Sequence, residues 1–256
     1  MTALYTSQVW AWGRLSHAEL FTTPEGKRVF AITNAALGLA RILRSDLPEL
    51  RHTLLHRHAM IDHLLANSPS RRVVELAAGL SRRGAANCGT LEYTEVDVPA
   101  VIAKKRALLE RTAAGRDVLA RLHLVAGDAL DVELESDLVI AEGLAMYLDG
   151  PARRRLFARA AAIAGTFVFD LVPTEEEPVP GAIGRALEAG MKRFTGGRGF
   201  ERDARTRAQI IGELRDAGFT DARAIASAEV AHAWQLPHAD RATTMVVFTA
   251  TRATRG

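Results

Sequence analysis

Four short aliphatic runs end in residues that could handle a polar ligand. Val73-Val74-Glu75-Leu76-Ala77 leads into Ala78-Gly79-Leu80-Ser81, a turn of small residues before a helical pattern. Such a turn lets a ligand lie against bare backbone, with the N–H groups of the next helix aimed at it. Glu95-Val96-Asp97 ends the second run, and Asp97 stands 22 residues after Glu75. An acid at about that spacing, on the tip of a neighbouring strand, can accept both hydroxyls of a ribose. Asp97 also precedes Pro99 and could simply cap a helix; the two roles are compatible. Gly127-Asp128 and Glu142-Gly143 follow the third and fourth runs. Ligands of open α/β sheets bind beyond the carboxyl ends of the strands, where all of these residues would stand. With Gly79 alone in place of three glycines, a nucleoside without a pyrophosphate fits better than NAD, and S-adenosylmethionine is such a nucleoside.

The elements that must hold these residues follow from the pattern of the chain. Residues 4–67 read as helices with breaks at Pro24-Glu25-Gly26 and Ser45-Asp46-Leu47-Pro48. From Arg72 onward, strands 73–77, 91–96, 122–125, 138–141 and 166–169 alternate with helices, notably 98–111 and 152–164. Alternation of this kind predicts βαβ units and a parallel sheet covered on both faces. The stretch 173–205 interrupts the rhythm with three prolines and six glycines and reads as a lid-like insertion after strand five. A helix over 206–217 closed by Gly218 and strands over 222–227 and 243–251 complete the chain. The expectation is an α/β doubly wound core over 68–256 with a helical cap over 1–67.

Composition narrows the function classes. The 256 residues are 48% hydrophobic and 25% charged, proportions that exclude disordered, collagenous and coiled-coil classes. Aromatics are only 6%, so an aliphatic core is expected. A formal charge of +3, with no basic run longer than Arg153-Arg154-Arg155, argues against a nucleic-acid partner. One cysteine, Cys88, excludes an internal disulfide and suits a reducing compartment. No signal peptide or membrane-length apolar run is visible, so a cytoplasmic protein without a membrane partner is expected.

The motifs Val73–Leu80, Tyr93-Thr94-Glu95-Val96-Asp97-Val98-Pro99 with Lys105 downstream, and Ala141–Leu148 resemble the leucine carboxyl methyltransferase family, and within it the bacterial polyketide-associated O-methyltransferases. The resemblance covers residues 57–219. It implies a class I, Rossmann-like, seven-stranded methyltransferase fold. It implies an S-adenosylmethionine-dependent O-methyltransferase acting on a carboxylate or on a phenol or enol hydroxyl of a small secondary metabolite. Leu55–Asp62 matches the family helix whose arginine binds the methionyl carboxylate, which makes Arg57 that arginine. Spacing independently sets Arg57 on an apolar stripe with Leu54, Ile61 and Leu64, where a guanidinium wants a carboxylate. A structural ion pair is the plain alternative. The family assigns Asp97 to the ribose, Asp128 and Ala129 to the adenine edge, Glu142 to the amino end, and Tyr147 to the methyl-transfer cavity. Glu75, Ala77 and Gly79 complete the expected cofactor contacts. Ala77 stands where the family has glycine, and Ser81-Arg82 where it has Asp-Thr; these departures motivate an alternative, a non-catalytic or non-methylating binder of the same cofactor.

A carboxylate acceptor needs no base, whereas a hydroxyl does, and His17, His232 and His238 are the candidates. His52, His56 and His63 share a helical face, but nothing completes a zinc set, so no metal is expected and a cap-packing role is preferred. Trp10, Trp12 and Trp234 either line a pocket or pin the cap to the core.

Overall fold

The computed structural model describes residues 2–43, 49–174, 205–241 and 243–253. The chain opens with α1 (Thr2–Trp12), a 3-10 turn (Ala18–Phe21), α2 (Pro24–Leu43) and α3 (Leu50–Ala66). Pro24-Glu25-Gly26 is not a break but the first turn of α2. Proline is tolerated there because its missing N–H would be unpaired in any case, and Thr23 Oγ1 accepts from Gly26 N at 2.9 Å. The expected break at 45–48, and all of the expected insertion except Pro173, Thr174 and Arg205, lie outside the described residues.

The core follows as β1 (Arg72–Leu76), α4 (Arg83–Asn87), β2 (Glu92–Asp97), α5 (Pro99–Glu110), α6 (Ala113–Leu119), β3 (His123–Ala126), β4 (Ser136–Ala141), a 3-10 turn (Ala145–Tyr147), α7 (Gly150–Ile163) and β5 (Ala164–Asp170). α8 (Arg207–Asp216), β6 (Asp221–Ala226), the short α9 (Ser227–Val230) and β7 (Val246–Thr251) close it. The seven strands lie in the order β3-β2-β1-β4-β5-β7-β6. The first five are parallel, but β7 runs antiparallel to both β5 and β6, so the sheet is mixed rather than parallel throughout. An antiparallel neighbour needs no full crossover helix, which is why α9 can be so short. This reversal matters for the site. Val247 pairs with Asp170, so the segment leading into β7 lies at the edge where β1–β5 end.

The pleat sends alternate residues to two cores. On one face Val74, Leu76, Val139 and Ala141 meet α7 and α8. Here the aliphatic expectation fails locally. Phe157, Phe167, Phe169, Phe219 and Phe248 stack in a continuous set with centroids 4.8–6.1 Å apart, so the few aromatics are concentrated rather than spread. On the other face Val73, Tyr93, Leu138 and Val168 pack with Met60, Ile61 and Leu65 of α3 and with α5. α3 therefore belongs to the sheet layer, and a boundary at 67 runs through a shared core. The cap proper is α1 with α2, joined to α3 through Tyr5, Val9, Trp10, Leu54 and Leu55. No described helix is long and apolar enough to cross a membrane.

A buried ion pair braces the core beneath the cap's 3-10 turn. Lys105 of α5 and Glu95 of β2 pair with both side chains fully buried. Lys105 Nζ also donates to Ser81 O at 2.7 Å and sits 5.0 Å from the Phe21 ring centroid. Burial pushes the Glu95 carboxyl up to about 7 despite the neighbouring lysine. Removing one member of a buried pair strands the other. Lys105→Met should therefore cost about 3–5 kcal/mol in urea denaturation, with a larger loss at pH 8 than at pH 6, where a proton can neutralise Glu95.

Candidate functional site

The strand order sets five strand ends in a row, Asp128, Asp97, Gly79, Glu142 and Asp170, after β3, β2, β1, β4 and β5. The chain direction across the sheet reverses between β1 and β4, the position where open α/β sheets form their crevice.

The β1–β2–β3 half is a backbone cradle. Ala77 (φ 52°) and Gly79 (φ 57°) both adopt left-handed conformations. Glycine does this freely, whereas alanine does it at a cost of about 1–2 kcal/mol. The turn is held by Asp97, whose Oδ2 accepts from Gly79 N and whose Oδ1 accepts from Val98 N, both at 2.7 Å. A carboxylate has about four acceptor positions, so two remain for a ligand diol. The aliphatic Val98 beside it is 51% exposed. Gly127 N donates to Asp97 O at 2.9 Å, which brings the β3 tip alongside. Asp128 is exposed and accepts from Leu130 N at 2.9 Å, while Ala129 is half-buried against the core. On the cap side, a Cβ on Gly79 would stand 3.4 Å from Ala3 Cβ of α1.

The β1–β4–β5 half is a buried cluster of charge. Arg57 Nε donates to Glu142 Oε1 at 3.0 Å and its Nη1 to Asp170 Oδ2 at 3.3 Å. Its guanidinium lies against Gly143 (φ 67°), where a Cβ would come within 3.2 Å of it. Arg83, fully buried, reaches Glu75 Oε1 at 2.7 Å, Asp62 Oδ1 at 2.7 Å and Glu142 Oε2 at 2.6 Å. His58 Nε2 accepts from Arg82 Nε at 3.2 Å, which leaves Nδ1 to donate to Glu142 Oε2 at 2.9 Å. Trp10 stacks on that imidazole at 4.1 Å. Arg82 also pairs with Asp62 and donates to Ser16 Oγ at 3.0 Å.

The charges set one another. Burial would raise the Glu142 carboxyl, but His58, Arg83 and Arg57 hold it well below its ordinary value. Asp62 is lowered in the same way, burial being outweighed by His58, Arg83 and Arg82. Burial opposes the Arg57 charge, yet Asp170 and Glu142 raise its pKa. At Asp170 burial prevails and the carboxyl is raised even with Arg57 beside it. The three guanidiniums of Arg57, Arg82 and Arg83 face four carboxylates, those of Asp62, Glu75, Glu142 and Asp170.

The expected site residues therefore divide. Ala77, Gly79, Asp97 and the Asp128-Ala129 tip share one rim. Arg57 and Glu142 meet in the charge cluster, with Tyr147, half-buried, in electrostatic reach of Arg57. The Glu75 carboxylate is taken up internally by Arg83 and by Tyr93 Oη at 2.6 Å. Burial and that carboxylate together raise the Tyr93 hydroxyl well above its ordinary value. His17 lies on the cap between α1 and the 3-10 turn, left-handed (φ 63°), with a buried Nδ1 that has no hydrogen-bond partner. His238 stacks on Trp12 at 5.2 Å, and His232 is mostly exposed, 3.6 Å from Asp240. Both belong to the segment before β7.

The tryptophans pair with histidines and pin elements together. Trp12 also meets His52 at 5.4 Å, and Trp234 stacks on His63 at 4.1 Å. His56 reaches Pro237 O at 2.9 Å. Asp170, His58, Arg83 and Asp62 escaped the sequence reading. Asp170 carried a usable signal, since it ends strand five just as Asp97 ends strand two; the others sit on helices, where sequence gives no sign of a shared centre.

A family model described as leucine carboxyl methyltransferase matches residues 16–161, more than half of the chain. No curated protein matches it. Among solved structures, it is similar to a protein of Nostoc punctiforme PCC 73102 described as a candidate O-methyltransferase (17% identity, TM-score 0.55, covering 79% of this chain and 60% of that one). It is similar to an O-methyltransferase family protein from Burkholderia thailandensis (17%, TM-score 0.56, 90% and 72%). It is also similar to a magnesium protoporphyrin IX methyltransferase from Synechocystis PCC 6803 with bound SAH (15%, TM-score 0.54, 85% and 95%). The chain thus spans about 60% of the length of the Nostoc protein. At these identities the likeness establishes the class I methyltransferase fold.

Two outcomes follow from the geometry. Ala77→Gly should stabilise the fold by about 0.5–1 kcal/mol, read as a higher thermal midpoint, because left-handed strain is relieved at some entropic cost. Because Glu142 and Asp62 are depressed in the fold, their stabilisation is complete above the ordinary carboxylate range near pH 4.5. It is lost as pH falls toward their lower folded values. Glu142→Gln should therefore destabilise the protein at pH 7, by about 3–5 kcal/mol, and should flatten the fall in stability below pH 4.5 in a pH series of denaturation curves.

Proposed function

The chain belongs to the leucine carboxyl methyltransferase family, and from that premise we propose that it is an S-adenosylmethionine-dependent O-methyltransferase whose acceptor is a small, polyketide-like metabolite bearing a carboxylate. The observation that carries the cofactor reading is the Asp97–Gly79 contact. It sets a carboxylate with spare acceptor positions over a left-handed turn of small residues, beside an exposed aliphatic side chain.

These residues fit a nucleoside. Asp97 would hold the ribose hydroxyls, the Ala77–Gly79 backbone would lie under the sugar, and Val98, Asp128 and Ala129 would border the base. The methionyl end fits on charge. Asp170 is raised by burial even with Arg57 beside it, so a cationic group bound beside it would relieve that cost. Arg57 would meet the carboxylate, with Glu142 and Asp170 near the positive groups. Glu75 would act at one remove, by fixing Arg83. The cofactor supplies an electrophilic methyl group when bound; the chain's residues orient the acceptor in line with it and exclude water.

A carboxylate acceptor arrives ionised and needs no base. The imidazole in the charge cluster, His58, has both nitrogens engaged, which favours that reading. The unpartnered Nδ1 of His17 favours the second, a phenol or enol hydroxyl with His17 as base. Tyr147 would border the acceptor in either case. His232 and His238 would contribute only as part of the wall before β7.

Incubation with methyl-labelled cofactor and a panel of small carboxylic acids and phenols separates the readings. Label released by mild base marks a methyl ester and a carboxylate acceptor; base-stable label lost in His17→Ala marks a hydroxyl. Tight cofactor binding with no transfer to any acceptor would instead support a non-methylating binder. In calorimetry with S-adenosylhomocysteine, Asp97→Ala should weaken binding by about 1.5–3 kcal/mol, the worth of charge-assisted hydrogen bonds, while the fold is retained by circular dichroism. Unchanged affinity would remove Asp97 from the site.

A further inference from the structure

Arg82 stands where this chain departs from the family pattern, and it is buried. Its guanidinium is fixed from two elements. It pairs with Asp62 of α3, and its Nη1 donates to Ser16 Oγ at 3.0 Å and to Ser16 O at 3.4 Å. Nε is thereby aimed at His58 Nε2, 3.2 Å away. A guanidinium only donates, so Nε2 is the bare, accepting nitrogen. Which ring nitrogen carries the proton is set by the bond that the other makes. The proton therefore sits on Nδ1, 2.9 Å from Glu142 Oε2. The ring is fully buried and Trp10 stacks on it at 4.1 Å, with the two planes 24° apart, so it is not free to turn.

Glu142 Oε2 also accepts from Arg83 Nη2 at 2.6 Å, and Oε1 accepts from Arg57 Nε at 3.0 Å. With about two acceptor positions on each oxygen, one is left, on Oε1. A competing arrangement lies close by. Arg83 Nη2 is 2.9 Å from His58 Nδ1, so an imidazole protonated on Nε2 would draw that N–H to its own bare Nδ1. Its Nε2 proton would have Asp62 Oδ2, 3.8 Å away, to turn to. Glu142 Oε2 would then lose the imidazole donor, face a lone pair and compete for Arg83.

We propose that Arg82 is a positioning residue for the methionyl end of the cofactor: by occupying His58 Nε2 it holds the imidazole in the Nδ1–H form, which fixes Glu142 with the open position of Oε1 available to the ammonium. The inference rests on the cofactor reading above and adds to it the residue that sets the carboxylate. The two arrangements differ in the seat of one proton and in the acceptor that Arg83 takes, so a single donor decides between them. A carboxylate oriented before binding costs no ordering when the ligand arrives. The Asp97–Gly79 half of the crevice is held by bonds of its own, so the tautomer should leave it unaffected.

Nitrogen NMR of the full chain, labelled in its eight histidines, reads the tautomer at about pH 8, above the ordinary imidazole range. The wild type should show an Nδ1–H ring that is absent in His58→Asn, and Arg82→Met should move that proton to Nε2. Calorimetry with two probes reads the consequence: S-adenosylhomocysteine, and methylthioadenosine, the same nucleoside without the amino-acid end. Arg82→Met should weaken S-adenosylhomocysteine about tenfold, the low end for a lost charge-assisted bond, and leave methylthioadenosine within about twofold. Two changes at position 58 serve where Arg82→Met does not fold. His58→Asn keeps an amide N–H near the Nδ1 place and should hold the ratio of the two affinities within about threefold. His58→Gln puts its amide in the Nε2 place, leaves no donor beside Oε2 and should lose about tenfold for S-adenosylhomocysteine alone. An Nδ1 proton that persists in Arg82→Met overturns the proposal. So does a loss shared equally by both probes, the mark of a merely structural role, and so does equal discrimination in His58→Asn and His58→Gln. A wild type that binds neither probe overturns the cofactor reading and this role with it. A wild type that binds both, with a preference unchanged by Arg82→Met, overturns this role alone.

Discussion

The arrangement depends on one electrostatic constraint: the Glu142 carboxylate must be buried at the end of β4 with its charge compensated. Three side chains from two directions satisfy it. Arg57 and His58 come from α3 and Arg83 from the start of α4. Each is then committed to a further partner, Asp170, Trp10 or Glu75. One anion thereby ties β1, β4, β5, α3, α4 and α1 together. Such a network gives little net stability relative to an apolar core, but breaking any one link is costly because a charge is left buried and alone. Its value to the site is rigidity, since Arg57 and Asp170 are held in place before any ligand arrives.

The departure at Ser81-Arg82 is intelligible in these terms. Ser81 turns inward, its carbonyl taking Lys105 and its hydroxyl accepting from Arg83 N at 3.2 Å. Arg82 links the turn after β1 to Asp62 of α3, to His58 and to Ser16 ahead of the cap's 3-10 turn. Arg82, at a position where this chain departs from the family pattern, cross-links the cap to the core. The contact between Ala3 and the Gly79 turn lies on the same side, so the cap both borders the backbone-cradle half of the crevice and reaches the charge cluster through Arg82.

Much of the fold was legible in residue order. The buried parallel strands announced themselves as short aliphatic runs, and the helix over 206–217 by its closing Gly218. One element was misread for a physical reason. Pro24-Glu25-Gly26 has the composition of a turn, but proline opens a helix as readily as it ends one. The strand at β7 was legible but its direction was not, because burial on both faces looks the same in either direction. Of the site, Asp97 and Arg57 carried local signals of spacing and of polarity on an apolar stripe. Glu75 carried a misleading one, since its place in the motif does not reveal that Arg83 and Tyr93 consume its carboxylate.

The sequence by itself determined the periodicity, the strand ends with their acids and the glycine-bearing turn, because these depend on neighbours within a few residues. Only the tertiary structure decided which charges meet. Arg57 and Asp170 are 113 residues apart in the chain and share a hydrogen bond, as do Arg82 and Ser16 at 66 residues. Side-chain ionic pairing is set by the approach of distant elements and by the desolvation that accompanies it, and neither quantity is encoded in any local stretch of residues.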